Sequence, residues 1–488
     1  MSNKSQSSVE VHNVKAVNAA DGRKFYKKRE PIYPKRVNGQ WRKIKWIAMI
    51  VLLGIYYGVP WLRWDRGPFL PDQAVLVDFE GRRFYFFWIQ LWPQEVFFIT
   101  GLLILAALGL FFVTALFGRV WCGYACPQTV WTDLFIAVER WIEGDRNARM
   151  RLDKAPWTWD KVRKKVSKHI VWLFIAAATG GAWILYFHDA PTVAANLFMG
   201  TAPVTSYLFL GLLTFTTYTL AGTMREQVCT YMCPWPRIQG AMLDNDSLSV
   251  VYRHDRGEPR GKHKKGEPWD NRGHCVDCNA CVAACPMGID IRDGAQLECI
   301  NCALCIDACD SVMEKVNLPK GLIAYDTEAN SIRRQMGDKP VFRFVRSRTV
   351  YYATVFILVS AVMLYALVNR SSLDLNVIRD RSPNFIQLSD GAIRNGYVIK
   401  AINKTGEART VTLSIDGPES MALTGLGVAA HDGVVDIEIA PNAVRAVRVF
   451  ATMPKGVAKE TNDLTFNLVD PEDGSRRSAA ATFAGPKS

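Results

Sequence analysis

Long apolar stretches alternate with polar, basic loops along the chain up to about residue 369. Five of these stretches carry no charged side chain over roughly the 20 residues that a helix needs to cross a bilayer. Trp41, Trp46, Trp61 and Trp64 flank the first stretch, as expected of anchors at a membrane surface. Five such stretches in one chain favour membrane-spanning helices over buried core helices. The predicted spans are 46–62, 96–117, 170–187, 206–222 and 350–368.

The pattern changes its period after residue 369. Short runs rich in β-branched residues, several of them alternating polar and apolar positions, occur at 397–402, 410–415, 434–439 and 444–450, with turn residues between them. This pattern predicts an antiparallel β-sandwich of immunoglobulin type without the cysteine pair of antibody domains. It contains no catalytic constellation, so we expect a structural or docking module.

Positive charge is distributed unevenly among the loops. The net charge is +13, and residues 1–45 hold 12 Lys and Arg, the loop 118–169 holds 11, the loop 63–95 holds 4 and the loop 188–205 holds none. By the positive-inside rule, the N-terminus and the loop 118–169 are cytoplasmic, and an odd number of crossings places the C-terminus on the opposite side. The basic charge therefore indicates a membrane partner and no nucleic acid.

All twelve cysteines fall in short-spaced motifs, which is typical of metal ligation rather than of disulfides. Eight of them form the bacterial ferredoxin spacing C-x-x-C-x-x-C-x-x-x-C twice. In two-cluster ferredoxins the fourth cysteine of each run ligates the other cluster. Zinc motifs usually present two separated cysteine pairs instead. We therefore predict two 4Fe–4S clusters, one on Cys275, Cys278, Cys281 and Cys309 and the other on Cys299, Cys302, Cys305 and Cys285.

The remaining cysteines form a repeat, because Cys122/Cys126 and Cys229/Cys233 each belong to a C-x-x-x-C-P motif that follows an apolar helix. Each pair lies either on one face of a helix or around a proline that opens the next helix. Four thiolates suit Cu(I), a third cluster or zinc, and soft sulfur ligands stabilise Cu(I) over Cu(II). These four cysteines are thus the candidate catalytic and copper-binding residues; reduced structural cysteines are the plainer alternative.

The sequence divides into five predicted parts. The fold class is a membrane bundle of five helices with an inserted two-cluster ferredoxin domain and a C-terminal immunoglobulin-like β-sandwich. No glycine-rich nucleotide motif accompanies it, so the electrons are expected from a partner. The parts are a basic cytoplasmic segment (1–45), a four-helix membrane region with both C-x-x-x-C-P motifs (46–250), a cytoplasmic ferredoxin-like domain with basic linkers (251–345), a fifth membrane helix (346–369) and the β-sandwich (370–488).

These features together closely resemble the family of cytochrome c oxidase accessory proteins called CcoG, RdxA or FixG, which are membrane polyferredoxins. The resemblance rests on the basic N-terminus, the paired C-x-x-x-C-P motifs, the double ferredoxin run, the late single helix and the β-sandwich tail, and it covers nearly the whole chain. The double ferredoxin run is common to many proteins, whereas its position between membrane helices after the paired motifs is much more specific.

The resemblance implies an electron-transfer protein of the bacterial inner membrane, with its β-sandwich in the periplasm. It implies a cupric reductase that converts Cu(II) to Cu(I) at the four membrane cysteines for the copper centre of cbb-type oxidase. Copper chaperones, oxidase assembly factors and an unknown electron donor would be its partners, and a homodimer is compatible with the sequence. Quinol-oxidising membrane ferredoxins share the C-x-x-x-C-P pairs, so a quinol-linked electron-transfer subunit is one alternative and a non-redox assembly scaffold another.

Overall fold

The computed structural model describes residues 9–18, 30–263, 268–418, 421–431 and 433–486. Its elements follow the predicted order of membrane region, ferredoxin region, late helix and β-rich tail. The α-helices of the described residues are α1 (Gln40–Gly58), α2 (Phe97–Phe117), α3 (Pro127–Glu143), α4 (Arg146–Lys154), α5 (Trp159–Ile184), α6 (Ala190–Met199), α7 (Val204–Thr217), α8 (Trp235–Met242), α9 (His254–Gly257), α10 (Ala280–Ala284), α11 (Leu304–Lys315), α12 (Glu328–Gln335) and α13 (Ser347–Val368).

Four helical stretches among the described residues are long and apolar enough to cross a membrane. They are Gln40–Trp61, Pro93–Phe117, Val204–Met224 and Ser347–Val368, and they contain or overlap four of the five predicted spans. Little of each apolar stretch is buried inside the protein, as expected of surfaces that face lipid.

The fifth predicted span, 170–187, overlaps α5 but is not one of these four stretches. α5 begins at Trp159, well before the apolar run, and its first turns carry Lys161, Lys164 and Lys168. These charges interrupt the apolar character of the helix, so the crossing of 170–187 stays a prediction. The second half of α5 packs closely on α7, since a Cβ added to Gly180 would lie 2.9 Å from the Leu210 carbonyl oxygen.

Two small sheets complete the first compact unit of the chain, which consists of residues 1–64 and 73–363. Strands β1 (Val75–Asp78), β2 (Arg83–Phe86) and β3 (Ile89–Leu91) form an antiparallel meander between α1 and α2. Strands β4 (Ser249–Tyr252) and β5 (Ile323–Asp326) pair antiparallel on either side of the cysteine-rich segment. This pairing closes the ferredoxin region into one module, whose apolar core contains several of the cysteines.

The tail belongs to the second compact unit and forms two antiparallel sheets. Their orders are β10–β13–β8–β6, with β7 also on β8, and β11–β12–β9–β14–β15. From Ile393 to Ala401 every second side chain of β8 is buried, as expected of a strand with one face on the core. The strands are β6 (Leu373–Arg379), β7 (Ile386–Gln387), β8 (Ile393–Asn403), β9 (Arg409–Asp416), β10 (Ala422–Gly425), β11 (Ala430–His431), β12 (Val434–Ile439), β13 (Val444–Met453), β14 (Thr461–Val469) and β15 (Arg476–Ala484).

Candidate functional site

The two C-x-x-C-x-x-C loops share one backbone conformation. In the first loop Asp277 and Asn279 have positive φ angles of 51° and 55°, and in the second Asn301 and Ala303 have 52° and 59° at the equivalent positions. Asn and Asp tolerate the left-handed region better than most residues. The two residues with positive φ bend the backbone of each loop around a cavity that the cysteines of the loop face.

Each loop encloses a cavity together with one distant cysteine. Two cavities, of about 340 Å³ and about 370 Å³ when the space open to solvent is counted, are each lined by four of the eight cysteines, and Cys281 also borders the second. The fourth wall cysteine comes from the other run in both cases, which is the crossed arrangement that the spacing predicts. The sets are Cys275, Cys278, Cys281 and Cys309 in the smaller cavity, and Cys285, Cys299, Cys302 and Cys305 in the larger one.

The chemistry of these cavities fits an iron–sulfur cluster in each. Burial raises the pKa of the Cys281 and Cys285 thiols to about 12 and that of Cys299 to about 11. Such thiols become thiolates when bound metal cations compensate their charge. The other walls are largely apolar and keep water away. A 4Fe–4S cluster, when bound, takes up and releases one electron at a time.

Both C-x-x-x-C-P motifs adopt the same turn. The Cys126 amide donates to the Trp121 carbonyl at 2.8 Å, and the Cys233 amide donates to the Val228 carbonyl, also at 2.8 Å. Each bond spans five residues, so the cysteine pairs lie on short π-helical turns. Pro127 is the first residue of α3, and Pro234 immediately precedes α8. The structure therefore shows the proline-opened geometry rather than two cysteines on one α-helical face.

The two turns bring four thiols close together, which are called the membrane-edge thiols: those of Cys122, Cys126, Cys229 and Cys233. Cys122 and Cys229 each interact electrostatically with Cys126 and Cys233 as well as with each other, and burial raises the pKa of both to about 12. Cys233 is exposed. Within the described part of the chain, no three His, Cys, Asp or Glu side chains stand close enough together to hold a single metal ion. No three of the four thiols thus converge on one point.

One apolar cluster joins the membrane-edge thiols to the larger cavity. Met287 and Ile300 belong to this cluster, and Cys122 and Cys229 pack against it together with Cys285 and Cys299. The two kinds of cysteine site are therefore neighbours in space although they are far apart in sequence.

Gly123 permits this approach. A Cβ added to Gly123 would lie 2.6 Å from the Ile300 carbonyl oxygen, closer than real Cβ atoms come. The Tyr124 hydroxyl donates to the Cys302 carbonyl at 3.3 Å. The first C-x-x-x-C-P turn thus rests directly on the second ferredoxin loop.

Several side chains at the site had no recognisable signal in the sequence. Gln239 from α8 is hydrogen-bonded to the Cys122 thiol at 3.1 Å. Arg119 is buried between the two sites, where its guanidinium interacts electrostatically with Cys299 and Cys122. Asp307, inside the second cysteine run, accepts hydrogen bonds from the first amides of α1. In the sequence, only the repeated C-x-x-x-C-P spacing points to this region.

The N-terminal segment also reaches the site. The His12 amide donates to the Cys278 carbonyl at 2.9 Å, and the Val17 amide donates to the Gly288 carbonyl at 2.8 Å. Residues that the sequence presents as a basic tail therefore cover the first cysteine run and the loop that follows it.

Three family models match the chain. One, described as a 4Fe-4S dicluster domain, matches residues 224–328, and another, a 4Fe-4S binding domain, matches 99–146. The third, an IG-like fold at the C-terminus of FixG with oxidoreductase as its suggested activity, matches 363–486. With its apolar helices, the chain is a membrane iron–sulfur electron-transfer protein.

Relatives align over almost the entire chain. It is 50% identical to the nitrogen fixation protein FixG of Rhizobium meliloti over 99% of this chain and 98% of FixG. It is also 50% identical to protein RdxB of Cereibacter sphaeroides and 48% identical to RdxA of the same organism, over 94% and 95% of this chain and 97% and 99% of theirs. The chain therefore belongs to the FixG/RdxA/RdxB family. A solved FixG-related protein from Vibrio parahaemolyticus is 21% identical and covers 24% of this chain and 97% of its own, with a TM-score of 0.21.

Proposed function

We propose that this protein reduces Cu(II) to Cu(I) at Cys122, Cys126, Cys229 and Cys233. The Cu(I) would pass to copper chaperones that build the copper centre of cbb-type cytochrome oxidase. One observation carries the proposal: Cys122 and Cys229 share an apolar cluster with the cysteines that line the larger ferredoxin cavity. An electron held in that cavity has only a short path to a copper ion on the membrane-edge thiols.

The cysteines themselves supply what copper reduction needs. Cu(II) gains one electron and becomes Cu(I), and thiolate ligands shift this equilibrium towards Cu(I) because they are soft donors. Cys233 is exposed and offers the entry point for the ion, whereas Cys122 and Cys229 are more buried. The open spacing of the four thiols suits capture of copper by a subset of them, since a substrate ion must also leave.

A Cu(I)-specific chelator tests this function on the purified, chemically reduced protein. We expect Cys122→Ser and Cys229→Ser to lower the initial rate of Cu(I) formation at least tenfold. Thr230→Ala, between the cysteines of the second motif, serves as the matched control and keeps the wild-type rate. The visible absorbance of the clusters must be retained in every variant. Unchanged rates in both cysteine variants would exclude the membrane-edge thiols as the copper site.

A second function has one specific observation in its favour. The family model that matches residues 99–146 is described as 4Fe-4S binding, and this range contains Cys122 and Cys126. The four membrane-edge cysteines would then hold a third cluster in a quinol-linked electron-transfer subunit that needs no copper. Iron analysis with EPR on the wild type and on Cys126→Ser separates the two functions, because only the third-cluster protein loses iron and an EPR signal in the variant.

A further inference from the structure

A third cavity lies beside Cys229 at the ends of several membrane helices. It is separate from the two cysteine-lined cavities, but Met287 and Ile300 form a wall of both this cavity and the larger of those two. The remaining walls are polar towards α1 and α3, with Lys45, Gln128, Thr132, Asp133 and Glu226 among them.

Lys45 is the unusual member of this wall. It is 4% exposed, and within the described part of the chain its ammonium has no hydrogen bond or ion pair. The neighbouring cations are satisfied, because Arg42 binds Asp133 at 2.9 Å and Arg225 binds Glu139 at 3.0 Å. The Asp133 carboxylate interacts electrostatically with the Lys45 ammonium, but both of its oxygens accept hydrogen bonds from Arg42. The Lys45 ammonium therefore offers hydrogen-bond donors to the cavity.

The ligand that fits has oxygen atoms and an apolar ring. Ile136, Met287 and Ile300 offer apolar surface, while Lys45 and the Thr132 hydroxyl offer hydrogen-bond donors. The cavity lies where the span that begins at Gln40 and the span that ends at Met224 reach the same membrane edge. A lipid-soluble molecule can enter there.

We propose that this cavity binds the headgroup of a membrane quinol, with Lys45 donating to a ring oxygen. This proposal names the electron donor and rests on the proposed electron-transfer function. The quinol loses two electrons and two protons and becomes the quinone. Clusters held by the two cysteine sets would take up one electron each, and the two protons would pass to the Glu226 carboxylate, which lines the cavity, and to water.

Photoaffinity labelling tests the site without any copper. The full-length protein, with its clusters, is placed in lipid nanodiscs and irradiated with a short-chain azidoubiquinone. We expect the label on peptides of α1 and α3. Lys45→Met should raise the probe concentration for half-maximal labelling about tenfold, because a charge-assisted hydrogen bond is lost. Lys43→Met, at an exposed position of the same helix, is the matched control and should label like the wild type.

Thr132→Val supplies a second test if Lys45→Met does not fold, as judged by its cluster absorbance. It removes a hydroxyl from the cavity wall with little change of volume, and we expect weaker labelling. Label elsewhere in the protein, or equal labelling of the wild type and a folded cavity variant, would overturn the quinol site. Because no copper is present, that result would leave copper reduction at the cysteines untouched.

Discussion

Because Gly123 has no side chain, the membrane-edge cysteines can lie close to the ferredoxin loops. The first C-x-x-x-C-P turn has Gly123 after its leading cysteine, whereas the second has Thr230 at that position. The first turn lies against the Ile300–Asn301 backbone, where a Cβ would come within 3.1 Å of two atoms besides the Ile300 oxygen. A side chain at position 123 therefore has no room.

We expect Gly123→Ala to destabilise this contact by about 1–3 kcal/mol, the usual cost of an extra methyl group in a close-packed site. Thermal loss of the visible cluster absorbance measures the effect, and the midpoint should fall. Gly211→Ala is the control, since nothing lies within 4 Å of a Cβ at that helical position. Equal midpoints for both variants would contradict the close contact at Gly123.

The crossed division of the eight cysteines makes a prediction for two single substitutions. Cys309 lines the cavity of the first loop and Cys285 that of the second. We expect Cys309→Ser to impair the cluster on Cys275, Cys278 and Cys281, and Cys285→Ser to impair the other, because a serine oxygen is a poorer ligand for iron than a thiolate. EPR spectra of the reduced variants should each lose a different signal. Loss of the same signal in both would rule out the crossed sets.

At the scale of elements, α3, α4, α5 and the turn after α7 meet at a buried ion network. Glu139 binds Arg149 at 2.7 Å, Arg225 at 3.0 Å and Lys168 at 3.4 Å. Lys168 also binds Glu143 at 2.9 Å. The basic first half of α5, which weakens its apolar character, is therefore used to fix the helix against its neighbours.

Glu139→Gln should destabilise the protein by about 3–5 kcal/mol, because it leaves three buried cations without their common partner. Burial alone disfavours the carboxylate, but Arg225, Arg149 and Lys168 outweigh it and hold the pKa of Glu139 below its usual 4.5. Its contribution is thus complete above that value and is lost as the pH falls through the lower folded pKa.

Thermal unfolding of the wild type and of Glu139→Gln, measured from pH 7 downwards, checks both points. The difference between the two midpoints should be constant near neutrality and should shrink below about pH 4.5. Asp160→Asn is the control, since Asp160 pairs with Lys164 and Arg163 at the surface, where ion pairs contribute little. A pH-independent difference would argue against the ionic origin of the effect.

At the scale of the whole molecule, the contacts of the first compact unit constrain the membrane topology. Gly123 contacts Ile300, so the two residues must lie on the same side of the membrane. Between them the chain passes through the candidate span Val204–Met224. A second crossing is needed to return, and the apolar half of α5 is its candidate. The predicted span 170–187 would supply this crossing, and it stays a prediction.

Reporter fusions test this topology. Alkaline phosphatase is active only outside the cytoplasm, and green fluorescent protein is fluorescent in it. We expect phosphatase activity from fusions in the loop 188–205 and after the β-sandwich, and fluorescence from fusions in the loop 118–169. Fluorescence instead of phosphatase activity at 188–205 would mean that α5 does not cross.

The sequence predicts the structure best where apolar and polar residues follow a single repeat throughout a segment. Four predicted spans overlap apolar helical stretches, and the β-prone runs of the tail lie within β8, β9, β12 and β13. The crossing at 170–187 is harder to predict, because α5 combines a charged half and an apolar half in one helix. The choice between the two geometries of C-x-x-x-C-P also needed the structure, since each is compatible with the spacing.

The sequence by itself determined the cysteine motifs, the apolar spans and the family, because these depend on spacing and composition along the chain. Only the tertiary structure decided that the first membrane-edge turn lies on the second ferredoxin loop, that Asp307 accepts hydrogen bonds from the start of α1, and that Lys45 lines a cavity beside Cys229. Those contacts join residues far apart in the chain. These contacts arise from the packing of the folded chain, which produces no repeat or spacing that could be recognised in the sequence.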